Sequence, residues 1–160
     1  MLNTSPQTTI ELICNASERY QDRPFLEENG TSLSVADFKQ ACLETAAGLK
    51  QLGFMPGDRA AIWAPNISEW VVAAFGAQFA GAQIVTLNTR YKGEEAAAIL
   101  NDSKASTLFV MGRFLGNDYL NMIADLELPH LKHRIQLKGE AEATATSQWH
   151  QLQEQGRAWI

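Results

Sequence analysis

The sequence predicts an α/β fold: a mostly parallel sheet with βαβαβ crossovers and helices on both faces, preceded by a helix and a short β-hairpin. Three observations carry that prediction. Short apolar runs recur at 59–64, 83–87 and 107–111, each bounded by turn residues. Helical periodicity fills the intervals between them, and short helical connections of this kind join parallel strands by right-handed crossovers. The stretch 52–91 is written almost without charge, as expected of a crossover unit buried inside an α/β protein.

The elements follow in order. Residues 1–8 read as a polar tail. Ile10, Leu12, Ile13, Ala16 and Tyr20 then share one face of a helix over 9–20, with Thr8 or Thr9 as its N-cap. Extended runs at 24–28 and 31–34 flank Asn29-Gly30, a dipeptide suited to the positive backbone angles of a tight hairpin. Ser34 and Asp37 form the cap of a second helix, in which Phe38, Ala41, Cys42, Thr45, Leu49 and Leu52 recur at helical spacing up to Gly53. Pro56-Gly57 turns the chain into the strand at 59–64. Asn66, followed by Glu69 three residues on, has the form of a capping box for a helix reaching Ala80. That helix carries no charge after Glu69, so it should be buried on most sides. A strand over 83–87, a helix over 92–103 and a strand over 107–111 complete the crossovers. Beyond Gly112 the pattern weakens: a helix over 118–126, a break at Pro129, a strand over 134–137, a loop over 139–147, and a final helix that Gly156 ends.

Composition narrows the function classes. Across 160 residues, 46% hydrophobic and 19% charged content describes one globular domain with a real core. The net charge of -5 and the lack of a Lys/Arg cluster exclude the electrostatic footprint of a nucleic-acid binder. Glycines and glutamines interrupt the longest uncharged stretch, so no membrane span is expected. Cys14 and Cys42 fall in apolar helical patterns and read as reduced, structural thiols. With no signal peptide at the N-terminus, the expected localisation is cytoplasmic.

Chemistry-bearing motifs are scarce. Phosphate cradles need glycines between a strand and a helix, so that backbone N–H groups face the anion. The turn Trp63-Ala64-Pro65-Asn66 has none, and the turn from Asn88 to Lys92 has none before Gly93. Asn66 can be a polar group at a strand's carboxyl end, but the helix-cap reading fits its neighbours better. Arg90, beside Asn88 and Tyr91, can meet an anion, or pair with Glu94 or Glu95 in the next helix. His130 and His133 lack any third ligand for a metal, and His150 stands alone. No Ser occupies a nucleophile elbow, and neither Cys has a suggestive His partner. Asp22, Glu27 and Glu28 read as the solvated rim of the hairpin.

Beside this reading stands a resemblance. Ser32 to Phe38, the turn and strand from Gly53 to Ala64, Pro65-Asn66 with Glu69, Ala80-Gly81-Ala82 leading to Leu87-Asn88-Thr89-Arg90, and the helix and strand from Glu94 follow one another in characteristic order. In that order and spacing the chain resembles the N-terminal portion of the acyl-CoA synthetases, adenylate-forming ligases of the AMP-binding superfamily. The segments 92–96 and 112–119 look like the bacterial fatty-acid and steroid-fragment CoA ligases. The resemblance implies that residues 9–160 are the first part of an AMP-binding domain, truncated before its phosphate-binding loop. It implies an ATP-dependent ligase that makes an acyl-adenylate and pyrophosphate, then a CoA thioester, from a fatty or similar hydrophobic acid. Such chemistry uses ATP, Mg2+ and CoA, and depends on a Ser/Thr/Gly-rich loop ending in Lys, a Thr-Glu pair, a ribose-binding Asp and a Lys in a mobile C-terminal domain. None of these motifs occurs here. The expectation is therefore no catalytic, cofactor-binding or metal residue in this chain, no bound cofactor, and no activity on its own. Expected partners are the remainder of the ligase chain and a second copy in a homodimer. The alternative is a stand-alone interaction module or truncated paralogue without catalysis. A small nucleotide-binding protein is a third reading, against which the glycine-free turns count.

Overall fold

Thr8 starts the fold by accepting the Glu11 N–H at 3.1 Å, while the Glu11 carboxylate reaches back to the Thr8 amide. The computed structural model describes residues 6–140 and 144–160. Helix α1 (Thr9–Tyr20) leads into the hairpin β1 (Pro24–Glu28) and β2 (Thr31–Ser34), whose turn has Asn29 and Gly30 at φ of 50° and 80°. Ser34 and Asp37 cap α2 (Val35–Gln51) reciprocally. The chain continues through β3 (Arg59–Trp63), α3 (Ser68–Phe79), β4 (Gln83–Thr86), α4 (Gly93–Ser103) and β5 (Thr107–Val110). A small hairpin, β6 (Arg113–Phe114) and β7 (Asn117–Asp118), precedes α5 (Tyr119–Met122). The last elements are β8 (His133–Gln136), β9 (Ser147–Gln148) and α6 (Trp149–Trp159).

The main sheet has five strands in the order β4-β3-β5-β8-β9, all parallel. Ala61 sits in register with Val85 on one side and Leu108 on the other, and Leu108 faces Arg134. From β3 the chain crosses to β4, then returns past β3 to β5. Right-handed crossovers in these opposite directions put α3 and α4 on opposite faces of the sheet. The reversal also creates a switch point between the carboxyl ends of β3 and β5, where open α/β sheets usually bind ligands.

The expected burial of the uncharged helix holds: Val72, Ala73, Ala74, Gly76 and Ala77 of α3 are all buried. Small residues set how closely the helices approach. A Cβ at Gly76 would overlap the Thr45 side chain of α2, and one at Gly48 of α2 would lie 2.5 Å from the Leu152 carbonyl oxygen of α6. The core centres on Ile62, Trp63, Leu108, Phe109 and Ile135, with Leu49 and Leu152 closing one face. Phe38 joins α2 to the hairpin and to α3 through ring contacts with Phe25 at 4.7 Å and Phe75 at 5.5 Å.

Three expectations need correction. The helix expected over 118–126 shrinks to α5, because the amides of Ile123, Ala124 and Leu126 bond only three residues back, at 3.3 Å each. Gly156 does not end α6, which runs to Trp159. The position inside the helix calls for glycine because any Cβ there would overlap the Glu44 carbonyl of α2. β9 takes the end of the expected loop 139–147, of which 141–143 lie outside the described residues.

Candidate functional site

Two concave regions lie close to the sheet's carboxyl edge. The first is a cavity of about 380 Å³ beneath the β1–β2 hairpin, walled by Leu26, Leu33, Ala41, Val72 and Trp149. Glu28, Glu69 and Lys138 gather at this cavity. Lys138 Nζ lies 3.1 Å from Glu28 Oε1 and 3.3 Å from Glu69 Oε1. The other oxygen of Glu28 accepts the Ser68 N–H at 2.6 Å.

That last bond corrects the cap of α3. The N-cap position is Ile67, and no side chain within the turn caps the helix. Asn66 is exposed and does not do so. Glu28 supplies the missing acceptor from a distant strand, putting a carboxylate at the positive end of the helix. The Ser68 amide is the main cause of a Glu28 carboxyl held below its ordinary range, with Lys138 adding to it against the opposing effect of burial. Lys138 is pushed upward, first by its hydrogen bond to Glu28. Hence Glu28 is no solvated rim residue: it joins the hairpin to α3 and to the segment after β8. Local spacing carries no trace of this contact, since its partners are brought together only by the tertiary fold.

The second region is an open cleft of about 630 Å³ at the carboxyl ends of β3 and β4, lined by Pro65, Asn66, Trp70, Asn88, Thr89 and Tyr91 among others. Its floor is clamped from below. Trp63 Nε1 donates to the Asn88 carbonyl at 3.0 Å, and the Tyr119 hydroxyl donates to the Thr89 carbonyl at 3.1 Å. The two rings meet edge to face at 4.7 Å. Burial raises the Tyr119 pKa above its ordinary value. Asn88 Oδ1 accepts the Arg90 N–H at 2.9 Å, completing a tight turn. Arg90 makes no ion pair with Glu94 or Glu95 among the described residues; the Glu95 carboxylate instead accepts the Lys92 amide at 2.8 Å.

Cys42 is fully buried, and burial pushes its thiol up to about 12, so it is not a nucleophile. Cys14 and Cys42 are both free. His133 Nε2 contacts the Leu52 carbonyl at 3.1 Å, at the end of α2. Among the described residues no three His, Cys, Asp or Glu side chains are placed to hold a metal. The turn after β3 presents a proline, and in the turn after β4 the amides of Arg90 and Tyr91 both bond to Asn88. No helix among the described residues is long and apolar enough to cross a membrane.

Comparison with known proteins decides the family. Residues 14–158 match the family described as AMP-binding enzyme. The chain belongs to that family. An AMP-binding relative in Mycobacterium tuberculosis, named 3-[(3aS,4S,7aS)-7a-methyl-1,5-dioxo-octahydro-1H-inden-4-yl]propanoyl:CoA ligase, is 42% identical over 141 residues, which is 88% of this chain and 27% of that ligase. The long-chain-fatty-acid–CoA ligase of Salmonella typhimurium is 34% identical over 109 residues, covering 68% of this chain and 19% of the enzyme. The solved structure of the anthranilate CoA ligase AuaEII in complex with anthranoyl-AMP superposes on 94% of this chain and 28% of that one, with a TM-score of 0.80 at 21% identity. The fold is thus that of the N-terminal part of an adenylate-forming ligase, and the chain spans about a quarter of the length of the first of these relatives.

Proposed function

We propose that this chain is the N-terminal part of an ATP-dependent acyl-CoA ligase acting on a fatty or similarly hydrophobic carboxylic acid, and that these residues alone are catalytically inert. The full ligase joins the acid to AMP with release of pyrophosphate, then passes the acyl group to the thiol of CoA. The observation that carries the reading is the family match over residues 14–158, in a chain whose strand-end loops are filled by structural contacts. ATP, Mg2+ and CoA would be held by the rest of the ligase. The role of this part is to support that site: the sheet, the Glu28–Lys138–Glu69 junction and the clamped loop after β4 form a rigid platform. Its working partner is therefore the remainder of its own chain, in the cytoplasm.

Pyrophosphate release tests both halves of the proposal. The purified 160-residue chain, given ATP, magnesium and a fatty acid, should release none above background. Saturable release by this chain would sink the claim of inertness. The full-length protein should release pyrophosphate in the presence of a fatty acid or a steroid-derived propanoic acid. Failure with both classes, while the protein is folded, would sink the ligase reading.

A further inference from the structure

The turn at Leu115–Gly116 breaks a rule that the same chain keeps elsewhere. β6 and β7 pair Phe114 with Asn117, leaving Leu115 and Gly116 as a two-residue connection with φ of 48° and 76°. Positive φ at both central positions defines the mirror-image hairpin turn that strongly prefers Asn-Gly. The β1–β2 hairpin has the same geometry and uses Asn29-Gly30. At 115 a leucine occupies the left-handed position, where its branched side chain is disfavoured. It is also 83% exposed, more than any other large hydrophobic residue among those described. Leu115 is therefore disfavoured twice, by the backbone and by water. Sites where a chain breaks local rules without a local compensation are where function is to be sought.

The tip is carried on a braced stem. Lys92 Nζ donates to Asn117 Oδ1 at 3.2 Å, Arg113 Nε donates to Asp118 Oδ2 at 3.2 Å, and Asp118 Oδ1 accepts the Asn121 N–H at 3.0 Å. The stem leaves β5 at the sheet's carboxyl end, beside the switch point between β3 and β5. A lone leucine on a rigid support matches a single apolar socket in a protein. A lipid surface would call for several apolar residues, and in this hairpin only the half-buried Phe114 adjoins it.

We propose that the Leu115 tip is a docking contact that seats in an apolar socket on the portion of the ligase lying outside these residues. This rests on the reading of the chain as part of a longer ligase. Because the chain covers 27% and 19% of two relatives, most of the polypeptide that such a tip would meet lies elsewhere in the protein.

The test is Leu115→Asn in the full-length protein, with thermal midpoints measured at several protein concentrations beside Leu115→Met. On a free turn, Asn relieves the backbone and removes exposed hydrocarbon, so the midpoint should rise. On a docked tip, Asn empties the socket, so the midpoint should fall while Met stays close to wild type. A rise, or no change, in Leu115→Asn overturns the proposal. So does a wild-type advantage that grows with protein concentration, which would assign the socket to a second copy. The readout does not depend on catalysis. A full-length protein without pyrophosphate release would refute the proposed function and leave the Leu115 result to be judged on its own.

Discussion

Gly156→Ala separates two meanings of the same residue. If Gly156 were an ordinary interior position of α6 with room for a side chain, alanine would stabilise the helix by about 1 kcal/mol. The structure places Gly156 within α6, with the position of any Cβ already taken by the carbonyl oxygen of Glu44. Overpacking of this kind costs about 1–3 kcal/mol. The upper end applies, because the obstacle is backbone in the middle of α2 and cannot rotate aside. Moving α6 outward would also loosen the paired bonds at 3.0 Å from Arg157 Nε and its terminal nitrogen to the Glu44 carboxylate. Burial pushes the Glu44 carboxyl upward, but Arg157 and Gln40 outweigh it and leave the group below its ordinary value, so it would be a charge left with a weakened partner. Subtracting the helical gain of about 1 kcal/mol from a cost of about 3 leaves a net loss of about 2 kcal/mol. For a chain of this size that lowers the thermal midpoint by about 4–8 °C. Circular dichroism melting of wild type and variant, scanned identically and checked for reversibility, gives the answer. A midpoint equal to or above wild type would refute the packing argument.

Other predictions follow from named contacts. Gly48→Ala should also destabilise, since its Cβ would meet the Leu152 carbonyl at 2.5 Å across the same interface; urea unfolding would show a lower midpoint with an unchanged slope. Asn66→Ala should change stability by less than about 0.5 kcal/mol, whereas Glu28→Gln should cost about 1–2 kcal/mol through the lost charge-assisted cap of α3. The second effect has a defined pH dependence. The folded Glu28 carboxyl lies below its ordinary value of 4.5, so its contribution is complete above that pH and disappears as pH falls through the lowered value. Wild type and Glu28→Gln should therefore converge in acid, and a constant gap down to the acid transition would disprove the assignment. Tyr119→Phe removes the donor to the Thr89 carbonyl and should cost about 1 kcal/mol, with faster hydrogen exchange in the loop after β4; unchanged exchange there would mean that Trp63 alone holds the loop.

What could be read from the sequence was what a few neighbouring residues decide. The cap at Ser34 was legible because its partner Asp37 lies three positions away, the first cap was legible only as Thr8 or Thr9, and the Asn29-Gly30 turn was legible because its backbone angles need those residue types. The parallel crossovers were legible because strand and helix periods alternate cleanly between Arg59 and Val110. Where sequence reasoning failed, the deciding partner was remote. Asn66 looked like a cap on purely local grounds, yet Glu28 reaches the helix from the hairpin, and no spacing rule could connect them. Gly156 reads as the end of the last helix, whereas the helix runs through it and the need for glycine comes from the Glu44 carbonyl on α2.

The same distinction accounts for the site. Glycine-free turns after β3 and β4 pointed away from a phosphate cradle, and in the structure the loop after β4 is held by contacts from below. The indole of Trp63 and the phenol of Tyr119, both buried, rise from beneath the strand ends and engage the carbonyls of Asn88 and Thr89. A loop pinned in this way has little freedom to close over a nucleotide, and its rigidity suits a surface against which another part of a protein is built. Under the proposed function, the cleft at the strand ends serves as one wall of a site completed by the rest of the ligase. Replacing the donor of either clamp tests that view without touching any reacting group: full-length Tyr119→Phe should lose ligase activity only in proportion to its lost stability. A loss of turnover in fully folded enzyme would instead place the phenol itself within reach of the substrate.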